Sequence, residues 1–298
     1  MRYVFFGTPH LAATVLEALL DAGMPPVAVV CNPDRPAGRG KVITAPPVKR
    51  RIMNYELGIK NKIKILQPEK LDEHFINSLF SIHTSWDFFV VTAYAKIIPK
   101  SILSIPRLGV IGVHPSLLPR YRGPSPIKSA LLAGEAETGV TLYLVDEKTD
   151  HGPILAQNSV PIAPDDTDTT LSEKLARTGG KLLAETLPRF TAGEITPQPQ
   201  DEKKATLTKK FTSQDGFVEP AVLRSALSGK NPQAARRIEN MVRALGHEPG
   251  VWTLQEGLPA GRQGKRLKLL EAKVENEKTL KLLKTQKEGK KPGLAREL

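Results

Sequence analysis

MRYVFFGTPHLAATVLEALLDAGMPPVAVVC, residues 1–31, decides the fold class. Tyr3 to Phe6 is a short apolar run rich in aromatic and β-branched residues, and Gly7-Thr8-Pro9 breaks it. Leu11, Val15, Leu16, Leu19 and Leu20 then recur at helical spacing until Gly23 stops the pattern. Val27 to Cys31 is the next apolar run. Strand, helix and strand joined by short turns predict a parallel, doubly wound α/β sheet. Gly7 invites a dinucleotide reading, but the turn holds one glycine where that fingerprint needs three. There is no GxxxxGK[ST] loop either, so nicotinamide or ATP chemistry is disfavoured.

Working outward, Phe88 to Thr92, Leu108 to Val113 and Thr141 to Val145 read as further strands. Ser172 to Leu187 has a helical pattern in which Gly179-Gly180 is a weak point. Residues 191–206 are polar and carry a Pro-Gln-Pro-Gln run, which marks a linker between a domain at 1–190 and a second at 207–298. In the second, a helix is expected from Pro232 to Leu245, with Arg236, Arg237 and Arg243 on it. Val251 to Leu254, Arg266 to Leu270 and Thr279 to Leu283 read as strands of a small β-rich, barrel-like module. GLPAGRQGKR at 257–266 reads as an inserted loop.

The chain has 298 residues, 40% hydrophobic and 25% charged, enough apolar content for two cores. Cys31 is the single cysteine, so no internal disulfide forms, which fits a reducing compartment. MRYVFFGTP is too short an apolar start for a signal peptide, and no window reaches the ~18 apolar residues of a membrane span. A cytoplasmic location is expected. Residues 1–200 hold 22 Lys and Arg against 19 Asp and Glu, and residues 201–298 hold 21 against 12. The last third therefore carries most of the net +12. A polyanion such as nucleic acid is one partner for it; a solvated basic surface is the other reading.

Two stretches carry chemistry. In GVIGVHPSLLPRYRGPSPI (109–127) a buried strand delivers His114 at its carboxyl end, where open α/β sheets build their sites. In GVTLYLVDEKTDHGPILAQ (139–157) a charged turn follows a strand, and Asp150 in it can meet His114. Such a pair can take up the proton lost by an attacking amine and stabilise developing charge. No hydroxyl or thiol nucleophile is evidently placed with them, which favours direct attack by an amine substrate. His151 is the alternative imidazole. His114, Asp146, Asp150 and His151 match no zinc spacing, so no metal is expected.

At these motifs the chain resembles the folate-dependent formyltransferases, and in particular those acting on methionyl-tRNA. FFGTP (5–9), NPDRPAGRGK (32–41), AYAKIIP (93–99), HPSLLPRYRGPSPI (114–127) and ETGVTLYLVDEKTDHGPIL (137–155) follow that family in order, and the likeness continues to LKTQKEGKKP (283–292). The resemblance implies a Rossmann-like sheet domain and a small barrel that helps hold tRNA. It implies 10-formyltetrahydrofolate as formyl donor, placed near Ser116, Leu117, Leu118 and Pro119. His114 would stabilise the oxyanion, and Asp150 would support His114 and assist proton removal, through a water. Arg35, Arg39, Lys41 and Lys49, on a loop read as non-helical for its prolines and glycines, would touch the acceptor arm of the tRNA. The expected partners are the initiator methionyl-tRNA and folate, with no membrane, for a monomeric chain. The C-terminus looks shorter than the family's.

One departure matters. The family has an asparagine two residues before the histidine, and here that residue is Gly112. By the resemblance that asparagine donates to the oxyanion, and loss of one such donor costs on the order of 10²–10³ in turnover unless a water or another side chain replaces it; Gly112→Asn is expected to raise activity if the remaining machinery is intact. Other readings stay open: a folate-dependent formyltransferase acting on a sugar-nucleotide amine or on glycinamide ribotide, a tRNA-binding homologue with impaired catalysis, and a dinucleotide oxidoreductase.

Overall fold

The computed structural model describes residues 1–38, 40–55, 62–255 and 265–295. Its contacts divide the chain into two units. The first comprises Met1–Gly123, Thr138–Val160 and Ser172–Leu207. Its chain order begins β1 (Tyr3–Gly7), α1 (His10–Asp21), β2 (Ala28–Val30), β3 (Arg35–Ala37), β4 (Val42–Thr44), α2 (Pro47–Met53) and β5 (Lys64–Leu66). It continues with α3 (Glu73–Ile82), β6 (Phe88–Thr92), α4 (Lys100–Leu103) and β7 (Val110–His114). After α5 (Pro126–Ala133), which groups with the second unit, come β8 (Glu137–Leu144), β9 (Ile154–Pro161) and α6 (Asp168–Thr191).

One seven-stranded sheet runs in the order β5-β2-β1-β6-β7-β8-β9. The first five strands are parallel and β8 is antiparallel to β7. The strand order reverses between β1 and β6, the kind of switch point where open α/β sheets take ligands. Phe6 lies at the core of one layer, with ring centroids 5.5 Å from Phe89, 5.6 Å from Tyr94 and 6.2 Å from Phe75. Phe6→Ala is expected to lower unfolding stability by about 3–5 kcal/mol, because the cavity cannot collapse among fixed strands. Urea unfolding measures this, and a loss near zero would mean the layer repacks.

The Gly179-Gly180 pair, read as a weakness, lies mid-helix in α6 because the chain comes close there. A Cβ on Gly180 would stand 2.4 Å from that of Ala18, and one on Gly179 3.0 Å from Val113. Residues 191–206, expected as a linker, are fastened to the sheet unit: Ile154 and Gln198 exchange backbone hydrogen bonds at 2.7 and 2.8 Å.

The second unit comprises Pro124–Glu137, Pro161–Leu171 and Thr208–Leu298. Beyond α5 it contains α7 (Pro220–Leu227), α8 (Pro232–Leu245) and an antiparallel sheet of β10 (Val251–Leu254), β11 (Arg266–Glu275), β12 (Thr279–Lys287) and β13 (Gly293–Leu294). α8 starts where its sequence says: the Asn231 side chain accepts from the Ala234 amide at 2.9 Å and Pro232 takes the first turn. Arg243 is structural, donating to the carbonyls of Asp166 and Ala163 at 2.8 and 2.9 Å. Buried Glu239 accepts from the Val274 amide at 2.9 Å and pairs with Arg236. In β11 and β12, Leu267, Leu269, Leu280 and Leu282 point inward while Lys268, Lys273, Lys281 and Lys287 are exposed. Residues 257–264 of the expected inserted loop lie outside the described residues, and Arg266 opens β11.

Candidate active site

β7 is buried throughout and ends at His114, as apolar Val110, Ile111 and Val113 dictate. The chain then turns sharply, Ser116 donating its amide to the His114 carbonyl at 2.9 Å. Buried Thr141 on β8 pins the turn, donating its hydroxyl to the Ser116 carbonyl at 2.6 Å and accepting from the Leu118 amide at 3.0 Å. Gln157 donates to the Leu118 carbonyl at 2.8 Å. Tyr121 sits at φ +61°, and its carbonyl accepts from His114 Nε2 at 2.9 Å. A carbonyl only accepts, so Nε2 carries the hydrogen and Nδ1 faces the other way.

It faces Asp150. His114 Nδ1 and Asp150 Oδ2 are 3.5 Å apart, so the two residues expected to converge do so. That is longer than an ordinary hydrogen bond. Asp150 lies in the loop after β8, which doubles back so that the Leu144 amide donates to the Pro153 carbonyl at 2.8 Å. Asp150 itself has φ +47°, a left-handed conformation that aspartate tolerates better than most residues. Its Oδ2 accepts from the Gly123 amide and its Oδ1 from the Tyr143 hydroxyl, both at 2.7 Å.

Several residues of this constellation have no counterpart in the sequence reading. Gln200, from the stretch expected to be a linker, donates to the carbonyls of Asp150 and Gly152 at 2.9 and 2.8 Å. Its oxygen accepts from the buried guanidinium of Arg122 at 2.7 Å, and Arg122 also pairs with Glu202 at 2.6 Å. The hydrogen bond from Arg122, and then its charge, hold the Glu202 carboxyl below its usual range. Gln200 and Arg122 thus tie the loop after β7 to the loop after β8. The sequence signal was a polar Gln at the end of the Pro-Gln-Pro-Gln run, which reads equally as linker.

Gly112 pairs directly with Tyr143 across the antiparallel β7–β8 ladder. A Cβ at position 112 would stand 2.3, 2.6 and 2.9 Å from Tyr143 Cε1, Cζ and the hydroxyl oxygen. The expectation that Gly112→Asn raises turnover is therefore corrected: the space an asparagine needs is filled by a buried ring.

The other expected residues sort as follows. Ser116 is fully buried, its hydroxyl donating to the Arg120 carbonyl at 2.7 Å, and Leu118 is buried too. Both brace the loop, which leaves partly exposed Leu117 and Pro119 to meet a ligand. Buried polar atoms without partners do lie at the carboxyl ends of the strands: Asn32 Oδ1, Thr92 Oγ1 and the Tyr94 hydroxyl. Such orphaned groups fit a polar ligand that supplies the missing bonds. Lys49 lies on α2, not on a non-helical loop, and its ammonium is held by Asp34 and Gln67, each at 2.8 Å. Arg35 pairs with Glu69 at 2.6 Å, both well exposed. Lys41 is exposed, and Arg39 lies outside the described residues. His151 pairs with Asp146 at 2.6 Å, separate from His114. Among the described residues no three His, Cys, Asp or Glu side chains gather as metal ligands.

Comparison with known proteins agrees with this architecture. The family model for formyl transferase matches residues 1–187, and that for the formyl transferase C-terminal domain matches 232–296. The chain is 43% identical over 250 residues to the methionyl-tRNA formyltransferase of Halorhodospira halophila, covering 84% of this chain and 74% of the relative. It is 43% identical over 276 residues to that of Roseiflexus sp., covering 92% and 77%. In fold it is similar to the methionyl-tRNA formyltransferase of Clostridium thermocellum, with a TM-score of 0.60 at 15% identity over 96% of this chain and 98% of that one. An N-formyltransferase from Helicobacter canadensis has the same fold, with a TM-score of 0.61 at 20% identity over 93% and 88%. The chain belongs to the formyl transferase family, on its methionyl-tRNA formyltransferase branch.

Proposed function

We propose that this enzyme transfers the formyl group of 10-formyltetrahydrofolate to the α-amine of methionyl-initiator tRNA, as a monomer in the cytoplasm. The observation that carries the chemistry is the His114–Asp150 pair at the carboxyl end of β7. Among the described residues no free nucleophile stands beside the pair: the Ser116 hydroxyl is committed to Arg120, the buried Tyr143 phenol donates to Asp150, and Cys31 is fully buried with its thiol pushed up to about 12 by burial. A direct attack by the substrate amine follows. The new bond joins that nitrogen to the formyl carbon, and the bond from the carbon to the folate nitrogen breaks. Asp150 takes the proton that the amine loses, through a water, and that proton ends on the departing folate nitrogen, which leaves as tetrahydrofolate. His114 stabilises charge on the formyl oxygen, which displaces the Tyr121 carbonyl from Nε2 because an anionic oxygen is the stronger acceptor. Leu117 and Pro119, partly exposed on the loop after β7, meet the folate. The assay is purified protein with 10-formyltetrahydrofolate and methionyl-tRNA, scoring N-formylmethionine. Sugar-nucleotide amines run in parallel; formylation of those alone would overturn the choice of acceptor.

Exposed Lys268, Lys273, Lys281 and Lys287 on the antiparallel sheet supply phosphate contacts. About four such contacts give a log–log salt slope of about −3. Affinity for tRNA is then expected to fall roughly 60-fold between about 50 and about 200 mM salt. A filter-binding titration with no salt dependence would remove these lysines from the tRNA surface.

A further inference from the structure

Position 112 lacks a side chain on the strand that ends in His114, and the facing strand supplies one. Residues 112 and 114 project to the same face of β7, because side chains alternate along a strand. Tyr143 reaches that face from β8, where it is the registered partner of Gly112. Its hydroxyl oxygen lies 2.9 Å from where a residue-112 Cβ would stand. The amide atoms of an asparagine lie about 2.4 Å from their own Cβ by ordinary bond lengths. The phenol oxygen of Tyr143 thus lies about as far from that Cβ site as an amide on β7 would reach.

That oxygen is not idle. It donates to Asp150 Oδ1 at 2.7 Å, while Asp150 Oδ2 accepts from the Gly123 amide and faces His114. Burial first, then the charge of Asp150, push the phenol well above its ordinary range, so the group stays a donor at neutral pH. Tyr143 is only 6% exposed and its ring fills the slot over Gly112, so the hydroxyl has little freedom to turn away.

We propose that Tyr143 is a positioning residue of formyl transfer, taking from the facing strand the place left open at Gly112 and fixing the carboxylate of Asp150 against His114. This rests on the assignment of His114 and Asp150 above. Glycine at 112 and tyrosine at 143 are then one device in two parts: the ring needs the absent side chain, and the site needs the hydroxyl.

The test measures kcat, KM for both substrates and melting temperature for Tyr143→Phe, Gly112→Asn, the double variant Gly112→Asn/Tyr143→Leu, and His114→Ala as reference. Tyr143→Phe keeps the ring and removes one hydrogen bond to a charged group, so kcat is expected to fall about 10- to 100-fold. Both KM values stay within about threefold, because the lost bond does not touch substrate. Gly112→Asn alone falls at least as far and melts lower. The double variant, with room for the amide, exceeds Gly112→Asn alone in kcat. Wild-type kcat in Tyr143→Phe overturns the proposal, even if Gly112→Asn fails to fold. Full activity in His114→Ala would instead remove the site assignment beneath it.

Discussion

His114→Ala is expected to lower kcat for formyl transfer by about 10²–10³-fold, the usual loss when a group that stabilises developing charge is removed. Asp150→Asn is expected to lose at least as much. It removes the charge facing Nδ1 and the acceptor for the amine's proton. It also presents an amide NH₂ either to the Gly123 amide or to the Tyr143 hydroxyl, both of which already donate to this side chain. In contrast, tRNA affinity is expected to change little, since the proposed phosphate contacts lie elsewhere. Because the two residues act as a unit, the double variant His114→Ala/Asp150→Asn is expected to fall little below the worse single variant. Single-turnover assays at saturating tRNA separate this from a binding defect. Additive losses, with each variant multiplying the other, would mean that the 3.5 Å approach of imidazole and carboxylate is incidental to catalysis.

What the sequence makes legible follows from which interactions are local. The β1–α1–β2 unit is plain because period two and period 3.6 alternate cleanly, and α8 is plain because cap, proline and apolar stripe agree. β5 and β9 are not. KIL at 64–66 is too short to show a period, and ILAQNSVP at 154–161 buries little beyond Leu155 and Val160. α2 is missed for a physical reason: Pro46-Pro47 reads as a breaker, yet proline at the first helical position starts a helix without losing a hydrogen bond.

In the site, His114 and Asp150 are legible because each terminates or follows a strand within a long motif. Tyr143 is not, because its place depends on the antiparallel register of β8 against β7, a long-range fact. Read alone, Gly112 is a lost donor. Glycine inside a strand also marks close approach by another group, and here that group is the ring that carries the replacement hydroxyl.

Register also makes a glycine outside the strands decisive. Gly152 closes the loop that carries Asp150, and a Cβ there would stand 1.8 Å from the Leu144 carbonyl oxygen and 3.0 Å from its carbon. Those are backbone atoms of β8, which is hydrogen-bonded to its neighbours, so the loop must move rather than the strand. The Leu144 amide holds the Pro153 carbonyl at 2.8 Å, and Gln200 holds the carbonyls of Asp150 and Gly152. Displacing residue 152 therefore strains the backbone contacts that hold the loop carrying Asp150. A misplacement of about 1 Å can cost about 10²-fold in rate. Gly152→Ala is thus expected to reduce kcat by about 10²-fold or more, although the substituted residue bears no functional group. It is also expected to lower stability by roughly 1–3 kcal/mol, the range for overpacking a close contact. Gly193→Ala is a useful contrast, because nothing lies within 4 Å of its Cβ position and only its φ of +77° opposes the change. It is expected to lose some stability and keep kcat. If Gly152→Ala turns over substrate like the wild type, the loop tolerates displacement, and the geometry of Asp150 does not limit the rate.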